Sequence, residues 1–196
     1  MSAPLDAFIP NPDIRERFHV TIGASAAVVM EEACALDLQA LPLARFVFWL
    51  RERLMGAPPA GPRRPQGLLA ETQSLGWGML INTPPSLIVC GAVCQPWLAE
   101  VTFRPIPVEE FADYTEPNQV KIAWTLEAEA LGPDRTRFAH ETRAVATDPE
   151  ARRHFARYWR WARVGIIGIR LLLLPAIRRN AERRWLDTGG GAITDD

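Results

Sequence analysis

His140 is the side chain whose type and surroundings offer the most chemistry. It lies in the run TRFAHETRAVAT (136–147), where strand alternation puts Phe138, His140, Thr142 and Ala144 on one face and Glu141 and Arg143 on the other. With Phe138 turned inward, His140 and Thr142 follow it. An imidazole in apolar surroundings can bond a ligand oxygen or move a proton. It can equally be a core histidine satisfied by a carbonyl or a water. The run VKIAWTLEA (120–128) separates Val120, Ile122, Trp124 and Leu126 from an outward set of Lys121, Ala123, Thr125 and Glu127, which Glu129 continues. His140 has no clear paired acid, and His19 and His154 read as surface groups. The chain shows no Ser-His-Asp arrangement, phosphate-binding loop or metal-ligand spacing, so no cofactor or metal is expected. Cys34, Cys90 and Cys94 have no CxxC spacing. On one strand Cys90 and Cys94 would lie about 13 Å apart, too far to bridge, so they read as reduced packing thiols of a cytoplasmic protein.

The elements that must hold these residues are legible in outline. IRERFHVTIGA (14–24) alternates into a first strand with Ile14, Glu16, Phe18, Val20 and Ile22 on one face. A Ser25 cap then opens a helix, and Pro42 to Gly56 reads as a second. Residues 57–67, with four Pro and two Gly, read as a loop. From Leu68 the texture reads as β: GLLAETQSLGWGML places Leu69, Glu71, Gln73, Leu75, Trp77 and Met79 on one strand face. A Thr83–Ser86 turn leads to LIVCGAVCQPW, making a hairpin. EVTFRPI (100–106) is a further short strand, and PVEEFADYTEPN a polar connection. The 120 and 136 runs form a second hairpin around Gly132-Pro133-Asp134, and Asp148-Pro149-Glu150 launches a long terminal helix. The expectation is α+β: an antiparallel sheet, bent at Gly76, Gly78 and Gly91, wrapped on that helix. Residues 1–12 read as an N-terminal extension, 13–184 as one domain, and 185–196 as a disordered tail. MSAPLDAFIPNPD has no basic start and no apolar run, so it is not a signal peptide.

Charge is divided along the chain. Residues 151–184 carry ten Arg against one acid, and residues 1–150 carry nineteen acids against twelve bases. Arg152, Arg153, Arg157, Arg160 and Arg163 with Tyr158, Trp159 and Trp161 are the types that bind nucleic acid. Against that, Phe155, Trp159, Ala162, Ile166, Ile169, Leu173 and Ile177 recur at steps of three and four, the buried stripe of an amphipathic helix. Val164–Ile177 is fourteen residues and contains Arg170, too short and too charged to span a membrane. Trp161, Val164, Gly168, Leu171 and Leu172 make a second apolar face. Cover by the rest of the fold ranks first for it, a homodimer second and a peripheral membrane contact third. Pro175 lacks the N–H that would bond Leu171 and either bends the helix or is a tolerated irregularity.

In this order of elements, and above all in TRFAHETRAVATDPEARRHFARYW, the chain resembles the START/Bet v 1-like superfamily (SRPBCC; polyketide cyclase/dehydrase and lipid transport), in particular its uncharacterised bacterial members. The resemblance covers roughly residues 13–184. It implies a helix-grip fold, with a cavity between the concave sheet and the terminal helix, and it carries no catalytic signature. The candidate lining is Trp77, Met79, Trp124, His140, Thr142, Trp159, Ile166 and Ile169. The implied function is binding, with transport as an extension, of a small hydrophobic or amphipathic ligand. The alternatives are a cyclase, dehydratase or hydrolase using His140, and a structural module without ligand.

Overall fold

The computed structural model describes residues 3–37 and 67–190, with positions 42, 45, 46, 53 and 56 between them. Apart from those positions, the second helix expected over 42–56 and the loop expected over 57–66 lie outside the described residues, as do residues 191–196. Five antiparallel strands, β1 (Ile14–Ile22), β2 (Gly78–Thr83), β3 (Leu87–Cys94), β4 (Val120–Gly132) and β5 (Arg135–Ala146), form one curved sheet in the order β1-β5-β4-β3-β2. Helix α1 (Ala26–Ala35) and a 39-residue helix α4 (Pro149–Asp187) lie on its concave face; two short helices, α2 (Leu68–Ser74) and α3 (Val108–Phe111), sit in the connections. This is the expected helix-grip arrangement.

The sheet grips α4 through a core of Ile22, Ile88, Cys90, Leu126 and Phe138 against Leu173, Leu174, Ala176 and Ile177, with Val29, Met30 and Ala33 of α1 alongside. A smaller cluster of Val120, Ala144 and Phe155 holds the other end of α4. The ends are fixed by polar contacts as well. Asp148 caps α4 by accepting from the N–H groups of Glu150 (2.7 Å) and Ala151 (2.9 Å). At the far end Arg184 pairs with Glu31 and Glu32 of α1, while Glu182 accepts from the Gly23 N–H. Helix α4 is continuous through Pro175.

The outer face of the sheet is covered too. Leu5, Phe8 and Ile9 and Phe111 of α3 bury Val89, Val93 and Ala123. Gly91 makes room for this layer, since a Cβ there would lie 2.5 Å from Leu80 and 2.8 Å from the Phe111 ring. Lys121, Ala123 and Thr125 of the outward set of β4, and Glu141 and Arg143 of β5, are therefore buried, while Glu129 near the end of β4 is exposed. Glu141 accepts from Arg15 and Arg17 of β1 (2.9 Å each) and from Arg143 (2.7 Å), and Arg143 continues to Asp6 (2.7 Å) and the Ile9 carbonyl (2.9 Å). Burial alone would raise the Glu141 carboxyl, but Arg143 and Arg15 hold it below the usual carboxylate range. Lys121 is buried with its ammonium on the carbonyls of Phe111 (3.2 Å) and Ala112 (2.6 Å), so the segment read as a polar connection is pinned to the sheet.

Two strand expectations are corrected. Residues 68–74 are helical rather than extended: Leu68 and Thr72, four apart, are the buried pair, and the Thr72 hydroxyl bonds the Leu68 carbonyl. The segment turns at Gly76 (φ 98°), where a Cβ would lie 2.3 Å from the Phe103 carbonyl oxygen. EVTFRPI forms only a single bridge, Arg104 to Val93, because Pro105 and Pro107 have no N–H with which to extend a ladder.

Glu141→Ala leaves the Arg143 guanidinium buried beside a hole and is expected to cost about 3 kcal/mol or more of unfolding free energy in urea titrations. Replacing both partners together, Glu141→Leu with Arg143→Met, is expected to cost less than the single change.

Candidate functional site

The pleat assembles the concave face in rows. Glu16 of β1 pairs with Thr142 of β5, Thr142 with Trp124 of β4, Trp124 with Cys90 of β3, and Cys90 with Met79 of β2. Phe18 pairs with His140 in the next row. The Trp77 ring, just before β2, meets Trp124 edge to face at 6.2 Å and lies against Phe103 at 4.9 Å; Trp124 in turn lies 5.9 Å from the His140 ring. Beside these rows α4 brings Arg170, whose Nη2 donates to Thr142 Oγ1 at 2.9 Å.

The hydrogen bonds around His140 fix its tautomer. Its Nδ1 lies 2.7 Å from the Thr125 carbonyl, which only accepts, so Nδ1 carries the proton. Its Nε2 is left as an acceptor facing Thr142 Oγ1 at 3.4 Å. A directed chain results, from the Arg170 N–H to the Thr142 hydroxyl to the imidazole to a backbone carbonyl. The β4–β5 register skips Thr125 and Leu126, and there side chains replace ladder bonds: the Thr125 hydroxyl also accepts from the Glu141 N–H at 3.1 Å. Burial, helped by the Arg170 charge and opposed by the Thr125 bond, pushes the imidazole down to about 3. Burial lowers Arg170 to about 10, against the pull of Glu16, so at neutral pH it is a cation beside a neutral histidine. Its Nη1 is buried and has no hydrogen-bond partner among the described residues.

The expected lining is brought together in part. Trp77, Met79, Trp124, His140 and Thr142 share the rows above. Trp159 packs with Phe155 (6.1 Å) in the cluster at the other end of α4. Ile166 and Ile169 are half-buried between the two concave-face clusters, and neither cluster includes them. His154, expected at the surface, is half-buried against Trp97 (5.3 Å), with Nδ1 buried and unbonded. Cys90 is packing, its thiol pushed up to about 12 by burial. Arg170 and Glu16 were not in the expected set, although each is a charge inside an apolar stripe, which is the signal that marks them. On the second apolar face of α4, Trp161, Val164, Leu171 and Leu172 are exposed, and most of the second helix and the Pro-rich loop expected to meet that face lie outside the described residues. Among the described residues no three His, Cys, Asp or Glu side chains are placed to hold a metal ion, and no helix is long and apolar enough to cross a membrane.

What this geometry defines is an α+β helix-grip protein with a charged and hydroxylic group set into the apolar side of its sheet. No family model matches the chain, and no curated protein matches it. Solved structures similar to it include a hypothetical protein from Helicobacter pylori, 7% identical with a TM-score of 0.43, covering 92% of this chain and 95% of that one. A conserved protein from Geobacillus kaustophilus is 8% identical with a TM-score of 0.38, over 89% and 97%. The Zhui aromatase/cyclase from Streptomyces sp. R1128 is 13% identical with a TM-score of 0.29, over 87% and 94%.

The low position of His140 makes stability depend on pH. Its folded value lies below the ordinary 6.5, so on acidification the unfolded chain takes the proton first. Its contribution is complete above about pH 6.5 and is lost as pH falls toward 3. Urea unfolding followed at successive pH values should show wild type losing up to about 1.4 kcal/mol per pH unit more than His140→Gln across that window.

Proposed function

We propose that the chain binds a small hydrophobic or amphipathic molecule between the concave sheet face and α4. The Trp77, Met79 and Trp124 side takes the apolar body, and Arg170 with Thr142 holds an oxygen-bearing end. The observation that carries this reading is the Arg170 guanidinium, cationic and largely buried, whose Nη1 has no hydrogen-bond partner among the described residues. A buried charged donor left unbonded is costly, and an anionic or carbonyl oxygen from a ligand would relieve it. Ile166 and Ile169, half-buried on α4 beside Arg170, support an apolar body there. His140 then serves as a neutral group that orients the Thr142 hydroxyl.

The enzymatic alternative needs His140 to act as an acid or base. An imidazole held near 3 is a weak base at neutral pH, and its Nδ1 proton is engaged by a carbonyl, so a hydrogen-bonding role fits it better. The ligand-free alternative needs a closed interior, with which a guanidinium whose buried Nη1 has no partner among the described residues fits poorly.

Purified protein analysed by native mass spectrometry, before and after lipid extraction, is expected to carry a displaceable hydrophobic ligand. In titration with a saturated fatty acid and the alcohol of the same chain length, the acid is expected to bind more tightly. Arg170→Met is expected to reduce binding of the acid by about tenfold or more, with little change for the alcohol, while the fold is kept. No binding of either probe and no co-purifying ligand would defeat the proposal.

A further inference from the structure

We propose that the solvent-facing side of α4 docks in the plane of an anionic lipid bilayer. This goes beyond the ligand reading and does not depend on it. On an α-helical projection Arg153, Arg157, Arg160, Val164, Leu171 and Pro175 fall within an arc of about 60°, opposite the buried Phe155, Ala162 and Leu173. Val164 is 72% exposed and Leu171 58%, and Trp161 (43%) and Leu172 (41%) flank them on one side. The strip from Trp161 to Leu172 is about 16 Å long.

Its charge says what covers it. Arg153, Arg157, Arg160 and Arg163 stand at the N-terminal end of the strip, and Arg179 and Arg183 at the other, all exposed. Among the described residues none of the six has an ion-pair partner, whereas Arg152, Arg178 and Arg184 are each paired. An apolar centre with a tryptophan at its border and unpaired cations at both ends is the pattern of a helix lying in a bilayer interface: the apolar side chains enter the acyl boundary and the guanidiniums meet anionic head groups. A second copy fits worse. Both ends of the strip are basic, so helices paired across a two-fold axis, parallel or antiparallel, set Arg against Arg. Nucleic acid fits worse as well, because the middle of the face offers phosphates nothing.

The test is co-sedimentation of the full chain with vesicles of phosphatidylcholine alone and of phosphatidylcholine with phosphatidylglycerol. Binding is expected to the anionic vesicles, with little to the neutral ones, and to fall as salt rises. Val164→Asp, and separately the pair Arg157→Glu with Arg160→Glu, are each expected to reduce it about tenfold or more. Both variants alter only exposed side chains, and an unchanged circular dichroism spectrum and melting temperature would show that the fold persists. Absence of binding to anionic vesicles, or binding that neither variant weakens, overturns the proposal. So does a dimer in solution that Val164→Asp dissociates, or binding of an oligonucleotide but not of vesicles.

Discussion

The two-residue repeat of β5 is the constraint on which the rest of the molecule depends. Successive residues of a strand face opposite sides of its sheet, so His140 and Thr142 go to the helix side, and Glu141 and Arg143 to the other. Because β5 lies between β1 and β4, each of these residues has neighbours on two strands. On one side Glu16 and Trp124 flank Thr142; on the other Arg15 and Arg17 reach Glu141. A slip of one residue would set Glu141 and Arg143 against the apolar helix and turn the imidazole to the outer face, among Arg15, Arg17 and Asp6. The buried ion pairs of the outer face and the polar chain of the inner face therefore hold the same register from opposite sides.

Much of this was legible in the sequence, and the reasons for the rest are physical. The strand runs at 14–22, 120–132 and 135–146 alternate cleanly, and the Asp148-Pro149 start of α4 is a local signal, so they could be read directly. The segment 68–74 was misread because LLAETQSLGWGML also alternates, and only the turn at Gly76, set by the approach of Phe103 from elsewhere in the chain, decides for a helix. Trp124, His140 and Thr142 were placed correctly on one face by period alone. Trp159 packs with Phe155 in the cluster at the other end of α4, a placement periodicity does not give, since it fixes a residue's side of a helix and not which end of the sheet lies beneath it. In the sequence Arg170 stands out only as a charge too costly for a membrane span. Its contact with Thr142 joins positions 28 apart in the chain, and nothing local encodes it. Burial of the outer sheet face was also hidden, since most of its cover comes from Leu5, Phe8 and Ile9, far from β4 and β5 in sequence.

Helix α4 carries three separable sets of side chains. Leu173, Leu174 and Ile177 are held in the core, Arg170 serves the polar row of the sheet, and Val164 and Leu171 face solvent. A 39-residue helix clamped at Asp148 and again at Arg184 can present all three without any of them having to anchor the others. That division explains how a charge can sit in the middle of the gripped region: the apolar clusters at either end supply the holding energy, and the middle is left to polar contacts.

The strand order also has a kinetic consequence. Among the described residues β1 is an edge strand whose only neighbour is β5, and the ion pairs joining them span 126 and 124 residues. On a chain emerging from the ribosome, β1 stays without its partner until the 124 to 126 residues that separate the paired side chains have been made, and the concave face stays bare until α4 follows. Closing so long a loop comes before any pairing rewards it, which makes folding slow and late. The arginines of β1, Arg15 and Arg17, have a second use in that interval: on an unpaired edge, like charges discourage one nascent strand from joining another.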